Sequence, residues 1–466
     1  MKARVSTGWT FAIVSVALFM VVLDNLVVTN ALPAIRLDLG ATIQQLEWTV
    51  NAYTLSYAVL LLTGAALGDR FGRRRMFSIG LGIFTLASAA AALSPSTGAL
   101  IAARAVQGLG AAIVTPLTLT LLSEAVPEGK RGLALGAWSG ISGLAVALGP
   151  VVGGAVVTGI SWHWIFWLNV PIGLVTLPFA LTKLTESRGE SRSIDLPGVG
   201  LASVGLLGVV YGIVHASAAG WTDQTVVGPI AIGAAFLAAF VAWELRTDEP
   251  MLPMSFFKSR AFTATNGVSI AMYFGTFGSV FLLAQFFQVA QHYTALQSGL
   301  RILPWTVMPI FIAPVAGILS DRIGGRPLMA LGLLLQGGGL AWMAAVTTPT
   351  IAYIDLVPGF VMAGAGMALV FAPAANTVLS AVRPKQAGQA SGATNALREL
   401  GGVLGVSVLA TVFSAHGGYV SPQNYVDGLV PAVWVGAAVL FAGSLVALLI
   451  PGKKRESAPV AEAVTA

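Results

Sequence analysis

The chain has no cysteine in its 466 residues. It therefore has no disulfide framework, and no thiolate is available to bind a metal or act as a nucleophile. Histidine occurs only four times, and the sequence contains no recognisable nucleophile–base pair, nucleotide-binding loop or cluster of metal ligands. These absences argue against an enzyme. We expect no catalytic residues, no metal and no cofactor.

Charge is also scarce, because charged residues make up 9% of the chain and hydrophobic residues 56%. Soluble domains carry about 25% charged residues, so a soluble protein of this composition would offer little polar surface to water. Fourteen apolar runs are each long enough to cross a bilayer, which requires about 20 residues. They are arranged as six, then two, then six. The sequence predicts an all-α polytopic membrane protein in the lipid bilayer of the cell membrane.

One polar segment occurs twice in the chain. Residues 64–75 read GAALGDRFGRRR and residues 317–327 read GILSDRIGGRP. Asp69 and Asp321 are 252 residues apart, and the same offset relates Gly149 to Gly401. Duplicated halves are common in secondary transporters. We therefore predict two homologous six-helix bundles, with the two middle helices inserted between them.

This arrangement divides the chain into four predicted parts. They are an N-terminal six-helix bundle at residues 1–184, a connector with two extra helices at 185–250, a C-terminal six-helix bundle at 251–450, and a disordered tail at 451–466. Lys2 and Arg4 precede the first apolar run, as in a signal peptide, but that run is too long for one. We expect it to be retained as the first span.

The positive charges predict the orientation of the chain. If the N-terminus is cytoplasmic, 21 of the 25 Lys and Arg residues lie in cytoplasmic segments. Only Arg36 falls in an outer loop, while Arg104, Arg301 and Arg398 lie within or at the edge of apolar runs. Such a bias places both termini in the cytoplasm. The charge is spread over loops rather than gathered into a patch, so we expect no nucleic-acid partner.

Two charged residues lie inside apolar runs of the first half. Asp24 is 15 residues into the first run, about 22 Å along a helix. A charged side chain there costs several kcal/mol, and intramembrane acids commonly mark proton or ion pathways. Arg104 in the fourth run lies at a comparable depth, so a switchable Asp24–Arg104 pair is possible. Asp24 is thus either a proton or cation site or a structural carboxylate, and Arg104 either its functional partner or a structural buried cation.

Arg398 and Glu399 form a second charged site, in the thirteenth run. Glu399 lies about 18 Å into that run, close to the midplane of the bilayer. Adjacent helical residues point about 100° apart, so the two side chains pair poorly with each other and each needs another partner. Glu399 is either a second protonation site, a counter-charge for a cationic substrate, or a member of a structural network with Arg398.

The repeated polar loop predicts a further functional element. Its carboxylate can pair with nearby arginines or accept hydrogen bonds from a helix N-terminus, and its glycine (Gly72, Gly324) permits a tight turn. A charged loop that sets topology would explain the arginines but not the recurrence of Asp-Arg-x-Gly. We favour a conformational latch between the bundles. The predicted latch residues are Asp69, Arg70, Gly72, Arg73, Asp321 and Arg322.

The fifth apolar run contains ALGPVVGGAVV, with Gly149, Pro150, Gly153 and Gly154 within one and a half turns. This composition predicts a bendable helix with a close-packing face, although small-residue packing is common in membranes. Aromatic and polar residues of the central runs could line a substrate cavity. The candidates for that cavity are Asn25, Tyr53, Gln107, Trp138, Tyr273 and Arg398.

Taken together, these motifs resemble the fourteen-span drug:proton antiporters of the major facilitator superfamily over nearly the whole chain. The first-span pattern L-D-x-x-x-V-x-x-A-L-P, the loop pattern G-x-L-x-D-R-x-G-R-R, the fourth-span pattern R-x-x-Q-G-x-G and the antiporter signature G-P-x-x-G-G all have counterparts here. Ala65 and His163 stand where the family usually has glycine and arginine. The matching segments are residues 23–33, 65–74, 104–110, 149–154, 162–171 and 390–402.

The resemblance implies two six-helix bundles around a central cavity, alternating access, and proton-coupled export across a cytoplasmic membrane. It implies that Asp24 is the proton-linked acid and Arg104 its partner, and that no cofactor is needed because the proton gradient drives transport. We expect a monomer that exports amphipathic small molecules such as antibiotics or dyes. A transporter dedicated to one metabolite, lipid or siderophore is the alternative, and a non-transporting receptor or enzyme fits poorly.

Overall fold

The computed structural model describes residues 7–127, 131–188, 195–383 and 386–452. Every regular element in these ranges is helical, and fourteen of the helices are long and apolar enough to cross a membrane. The fourteen spans, arranged as six, two and six, are therefore confirmed. Residues 1–6, which precede the predicted first span, and residues 453–466, which form most of the predicted disordered tail, lie outside the described ranges.

The helix bounds follow the apolar runs closely. A short 3-10 helix, Met254–Lys258, connects the inserted pair to the second bundle, and α6 is interrupted at Leu168. The helices are α1 (Thr7–Leu39), α2 (Ile43–Phe71), α3 (Arg73–Ala92), α4 (Thr97–Ala125), α5 (Arg131–Gly159), α6 (Trp164–Lys183), α7 (Leu196–Ala219), α8 (Gln224–Glu244), α9 (Arg260–Val289), α10 (Ala295–Ile323), α11 (Gly325–Val346), α12 (Tyr353–Ser380), α13 (Ala387–His416) and α14 (Pro422–Ala447).

The duplication predicted from sequence is present in the helices themselves. The first and last residues of α10 lie 252 positions after those of α2. Both helices begin with the same capping box. The side chain of Thr42 or Thr294 accepts a hydrogen bond from the third helical N–H, and the side chain of the glutamine at that third position accepts one from the threonine N–H. Gly149 of α5 packs on the Leu26 side chain of α1, and Gly401 of α13 packs on the backbone of α9 at Ile270. The two halves therefore share the cap and length of α2 and α10 and a glycine contact between corresponding helices.

Helices α1–α6 form the first bundle and α9–α14 the second, with apolar side chains filling the spaces between them. The inserted helices α7 and α8 pack on each other, and α7 rests against α2 and α13. The predicted divisions at 184/185 and 250/251 fall in connections between helices. Whether these parts behave as separate units stays a prediction.

The two bundles meet along four helix pairs, α5 with α10, α2 with α13, α1 with α9 and, less extensively, α1 with α10. We call the end of the molecule that carries Arg70 and Arg322 the basic face and the other end the distal face. Near the distal face the bundles are closely joined. The N–H of Leu296 donates to Thr158 Oγ1 at 3.1 Å, and Gln288 Nε2 donates to the carbonyl oxygen of Asn30 at 3.1 Å. The structure is therefore closed at its distal end.

Candidate functional site

A buried polar cluster surrounds Asp24 in the first bundle. Arg104 Nη1 donates to Asp24 Oδ2 at 2.5 Å, and the two side chains form an ion pair with no exposed surface. Gln107 Nε2 and Asn169 Nδ2 both donate to Asp24 Oδ1, at 2.9 Å and 2.7 Å. The carboxylate thus accepts three hydrogen bonds from α4 and α6. The predicted Asp24–Arg104 pair is present.

A second layer of contacts holds these donors in place. Ser88 Oγ on α3 accepts from Gln107 at 3.3 Å and from Asn169 at 3.0 Å, and donates to the carbonyl oxygen of Phe166 at 2.9 Å. Gln107 Oε1 in turn accepts from Arg104 Nη1 at 2.7 Å. We call Asp24, Ser88, Arg104, Gln107 and Asn169 the Asp24 cluster. Each of its side chains is at most 2% exposed, so water is excluded from it.

The guanidinium of Arg104 is fixed on the side away from Asp24 as well. Its Nε donates to the carbonyl oxygen of Thr49 at 3.2 Å, and its Cζ lies 4.2 Å from the centroid of the Tyr53 ring. Such a cation–π contact contributes about 2 kcal/mol when it is desolvated. Gly108, the residue after Gln107, lets the backbone of α2 approach α4, because a Cβ at that position would lie 2.3 Å from the carbonyl oxygen of Tyr53. Any larger residue would push α2 away from Arg104.

The glycines of α5 connect the Asp24 region to the second bundle. A Cβ on Gly153 would lie 2.8 Å from the carbonyl oxygen of Val27 on α1, three residues from Asp24. A Cβ on Gly154, the next residue, would lie 2.3 Å from the carbonyl oxygen of Ala295 on α10. The close-packing face predicted for α5 is therefore present, and it contacts both α1 and α10. A displacement of α1 would be transmitted through α5 to the contact between the bundles.

The polar loop of the first half, residues 64–75, makes its contacts within the first bundle. Gly72 has a φ of 107°, which favours glycine, and it separates α2 from α3. Arg73 Nη2 lies 2.7 Å from Asp69 Oδ1, and Arg73 Nη1 contacts a carboxylate oxygen of Glu124. The Glu186 carboxylate accepts from the backbone N–H groups of Arg74 and Arg75 at the start of α3. These contacts join α2, α3, α4 and the segment after α6, so in this conformation they lie within the first bundle.

The second copy of the loop repeats the turn. Gly324 has a φ of 85° and separates α10 from α11, as Gly72 does in the first copy. The side chain of Asp321 lies outside the described part of the structure, so no contact can be assigned to it. Arg322 is exposed on the basic face, and Arg70 stacks over the adjacent Phe71 ring at 5.4 Å. A latch between the bundles stays a prediction for both copies.

Arg398 and Glu399 belong to the second bundle and are not part of the Asp24 cluster. Arg398 Nη1 donates weakly to Asn395 Oδ1 at 3.4 Å, and its Cζ lies 4.7 Å from the Phe371 ring centroid. Its Nε and Nη2 have no hydrogen-bond partner among the described residues, and the same holds for one oxygen of Glu399. As the sequence predicts, the two neighbours are not paired with each other. They leave unused donors and an acceptor between the bundles.

The predicted cavity residues do not form one group. Gln107 and Tyr53 are fully buried around Arg104, where the Gln107 amide bonds Asp24 and Arg104 and the Tyr53 ring packs on the guanidinium. Trp138 Nε1 donates to Thr118 Oγ1 at 3.1 Å within the first bundle. Tyr273 stacks on Phe277. Asn25 is partly buried, and its Oδ1 lacks a donor among the described residues.

Two members of the Asp24 cluster, Ser88 and Asn169, were not predicted. Asn169 is a polar residue in an apolar run, in the segment WHWIFWLNVP, and that isolation is a usable signal. Ser88 stands in the alanine-rich sequence LASAAAA, where nothing in the sequence indicates that the serine has a function. The recurring capping threonines were also missed.

Comparison with known proteins identifies the family and relatives of this chain. The Major Facilitator Superfamily model matches residues 14–406. The tetracenomycin C resistance and export protein of Streptomyces glaucescens is 35% identical over 426 residues, which cover 91% of this chain and 79% of that protein. The cephamycin export protein CmcT of Amycolatopsis lactamdurans is 35% identical over 470 residues, which cover 98% and 95%.

Solved structures agree on the fold. An auto-inhibited peptide transporter of the POT family superposes with a TM-score of 0.71 at 14% identity, covering 97% of this chain and 99% of that one. At that identity the likeness concerns the fold alone. Together with the fourteen spans, the family match and the relatives show that the chain is a multi-pass membrane transporter of the Major Facilitator Superfamily.

Proposed function

We propose that the protein exports amphipathic small molecules from the cytoplasm or the inner leaflet in exchange for protons. The observation that carries the proposal is the buried Asp24 carboxylate, which accepts hydrogen bonds from Arg104, Gln107 and Asn169. An acid in this position can bind and release a proton while the helices around it change their contacts. Relatives named as antibiotic resistance and export proteins support small-molecule cargo and the outward direction.

The orientation follows from the charges. The basic face carries the arginines of both polar loops, and loops rich in Lys and Arg remain on the cytoplasmic side. The basic face is then cytoplasmic, both termini are inside, and the distal face looks outward. Since the distal end is closed in this structure, the conformation is one in which substrate cannot leave to the outside. Export requires that the contacts between α5 and α10 open.

Protonation of Asp24 supplies a reason for the change of state. When Asp24 is ionised, α1 is bonded to α4 and α6 through three donors. A proton on the carboxyl removes its attraction to Arg104, and breaking a buried pair costs about 3–5 kcal/mol. That energy is comparable to the gap between the states of a switching protein. The packing of α5 on both α1 and α10 would carry the displacement to the distal contact.

Arg398 and Glu399 fit a role in binding the substrate. Their unused polar atoms lie in the second bundle, and Glu399 is within electrostatic range of Tyr57 from the first bundle and of Tyr273 from its own. A carboxylate beside aromatic rings suits a cationic, amphipathic molecule. A second protonation event at Glu399 is the alternative role. No cofactor takes part in the proposed cycle.

The test is drug accumulation in a host that lacks its own pumps. Cells with the protein should tolerate several unrelated toxic amphiphiles and accumulate less of a fluorescent dye, whereas cells with Asp24→Asn should accumulate as much dye as cells without the protein. The variant must be present in the membrane in equal amount. Undiminished dye export by Asp24→Asn would remove Asp24 from the mechanism.

A narrower substrate range is the second candidate, because relatives are named for single compounds, tetracenomycin C and cephamycin. Competition for dye transport distinguishes a multidrug exporter from a dedicated one. A multidrug exporter has its dye transport inhibited by many unrelated amphiphiles, whereas a dedicated exporter responds to one chemical class only.

A further inference from the structure

Glu47, which the sequence analysis did not single out, is an acid buried without a partner. It lies in the second turn of α2, near the distal face, and its side chain is 0% exposed. Neither of its carboxylate oxygens accepts a hydrogen bond from any described residue. No described Lys or Arg forms an ion pair with it either. The group is as deeply buried as Asp24 but has none of the donors that surround Asp24.

The position of Glu47 is at the contact between the bundles. Asn51 lies one helical turn further along α2, on the same face, and its Nδ2 donates to Ser407 Oγ of α13 at 2.9 Å. On the other side, Tyr419 in the connection between α13 and α14 is within electrostatic range of Glu47. Residues of both bundles therefore enclose Glu47. Movement of the second bundle away from α2 would open this enclosure.

The charged and titratable groups at this end of the packed helices do not neutralise Glu47. The guanidinium of Arg36 on α1 stacks on Tyr419, with Cζ 4.1 Å from the ring centroid. Asp38 accepts from Trp162 Nε1 at 2.9 Å and faces His163. Burial raises the pKa of Tyr419, so its hydroxyl stays protonated and donates to Gln285 Oε1 at 2.6 Å.

His416 is also at this end, and its ring is occupied with its own helix. Its Nδ1 lies 2.9 Å from the carbonyl oxygen of Val412. On α7, which packs against α2, the Tyr211 ring lies 6.5 Å from that of Trp48, and His215 Nδ1 lies 3.0 Å from the carbonyl oxygen of Tyr211. Apart from Arg36, the described cations near the distal face are on α10, where Arg301 stacks on Tyr293 at 3.5 Å. Glu47 thus has no counter-charge in contact when the distal end is closed.

An ionised carboxylate that is buried with neither a counter-charge nor a hydrogen bond is too costly to persist, and such a group takes up a proton instead. We propose that Glu47 is a second proton-binding site, which binds a proton from the distal side when the bundles close and releases it to water when they open. The inference rests on the proposed function, since it adds a proton step to alternating access. The closed state binds this proton more tightly, so raising the distal pH must favour the open state.

The absence of native cysteine makes the opening measurable with single introduced thiols. Ala295 is 6% exposed and packs against Gly154 at the distal contact, so Ala295→Cys should react with a membrane-impermeant maleimide only when the bundles part. Leu37→Cys, at a position 82% exposed near the same face, corrects for the intrinsic effect of pH on thiol reactivity. Both are measured in right-side-out vesicles between pH 6 and pH 8.5.

With Glu47 present, corrected labelling of Ala295→Cys should rise with pH, by up to about tenfold per unit, the limit for one linked proton. Adding Glu47→Gln should keep labelling low and abolish its rise with pH. Adding Asp427→Asn, which removes an exposed distal acid on α14, should leave the rise intact. Glu47→Met is a second neutral variant that should behave like Glu47→Gln, and thermal unfolding verifies that both variants fold.

A labelling rise that survives in both neutral variants would overturn the inference, and so would a flat profile in the protein that retains Glu47. These results are separable from a failure of the proposed function. Proton-driven dye transport, measured on the same vesicles, would be absent if the protein were not a proton-coupled exporter, whatever the labelling showed.

Discussion

Arg104 and Asp24 are 80 residues apart in the chain and 2.5 Å apart in the structure, in a site where neither side chain has exposed surface. Their contact joins α1 to α4 through the only charges of the Asp24 cluster. Arg104 Nη2 has no hydrogen-bond partner among the described residues. The guanidinium therefore depends on the carboxylate for neutralisation. A change in the charge of Asp24 must alter the interaction that holds α4 to α1.

Arg104→Lys should strongly reduce transport although it keeps the positive charge. Arg104 bonds Asp24 and Gln107 through Nη1 and the carbonyl oxygen of Thr49 through Nε, and it also lies on the Tyr53 ring. The compact ammonium of lysine cannot make this planar set of contacts. We expect dye efflux to fall at least about tenfold, which is about 1.4 kcal/mol. Lys183→Arg, a change of the same kind at the basic end of α6, should leave efflux unchanged.

Asn169→Ala should impair export because it removes one donor from Asp24 and one from Ser88. Leaving a buried acceptor without its partner costs about 1–3 kcal/mol. We expect both lower efflux and a lower melting temperature, with Asn169→Asp more harmful since it sets a second carboxyl against Asp24. Asn376→Ala removes an exposed asparagine and is the control. Normal efflux by Asn169→Ala would show that the third hydrogen bond to Asp24 is dispensable.

Gly154→Ala should hold the distal ends of the bundles apart. The added Cβ would lie 2.3 Å from the carbonyl oxygen of Ala295, closer than atoms can approach, and backbone must move to relieve the contact. Oxidative cross-linking of a cysteine pair introduced at Thr158 and Leu296, whose Oγ1 and N are 3.1 Å apart, reports closure. We expect less cross-linking and slower export.

Gly159→Ala is the matched control for Gly154→Ala. The two glycines are on the same helix, but a Cβ on Gly159 would meet nothing within 4 Å. Cross-linking and export should therefore equal those of the parent protein. Equal cross-linking in Gly154→Ala as well would contradict a role for that residue in distal closure.

The two arginines of the first polar loop should differ in their importance. Arg73 contacts both Asp69 and Glu124 and is 14% exposed, whereas Arg70 makes only a stacking contact with Phe71 among the described residues. Partly exposed ion pairs contribute up to about 1 kcal/mol each. Arg73→Ala should lower the melting temperature by about 2–4 °C and reduce efflux, whereas Arg70→Ala should do neither. Equal effects of the two variants would mean that the loop acts through its net charge alone.

Much of the fold could be predicted because the bilayer restricts what a chain can do. Runs of apolar residues give the number of spans, and the repeated Asp-Arg-x-Gly loop gives the duplication. The depths of Asp24 and Arg104 along their helices predicted that they could meet. Each of these inferences uses only distance along one helix, which sequence supplies.

What could not be predicted depends on how helices are rotated about their axes and which helices are neighbours. Asn169 and Ser88 face Asp24 only because α6 and α3 present those sides. Gln107 faces the same cluster. Glu47 sits among the residues QLEW at the start of α2, where an acid would be expected at the surface. Only the packing of the second bundle against α2 shows that it is buried.

The most direct test is transport by the purified protein in proteoliposomes under an imposed pH gradient, with a fluorescent amphiphile as cargo and a pH-sensitive dye inside. The parent protein should move cargo and protons in opposite directions, and cargo movement should collapse when the gradient is dissipated. Asp24→Asn should bind cargo yet show neither gradient-driven accumulation nor cargo-dependent proton flux. Proton flux and accumulation equal to those of the parent protein in Asp24→Asn would contradict the assignment of the coupling proton to Asp24.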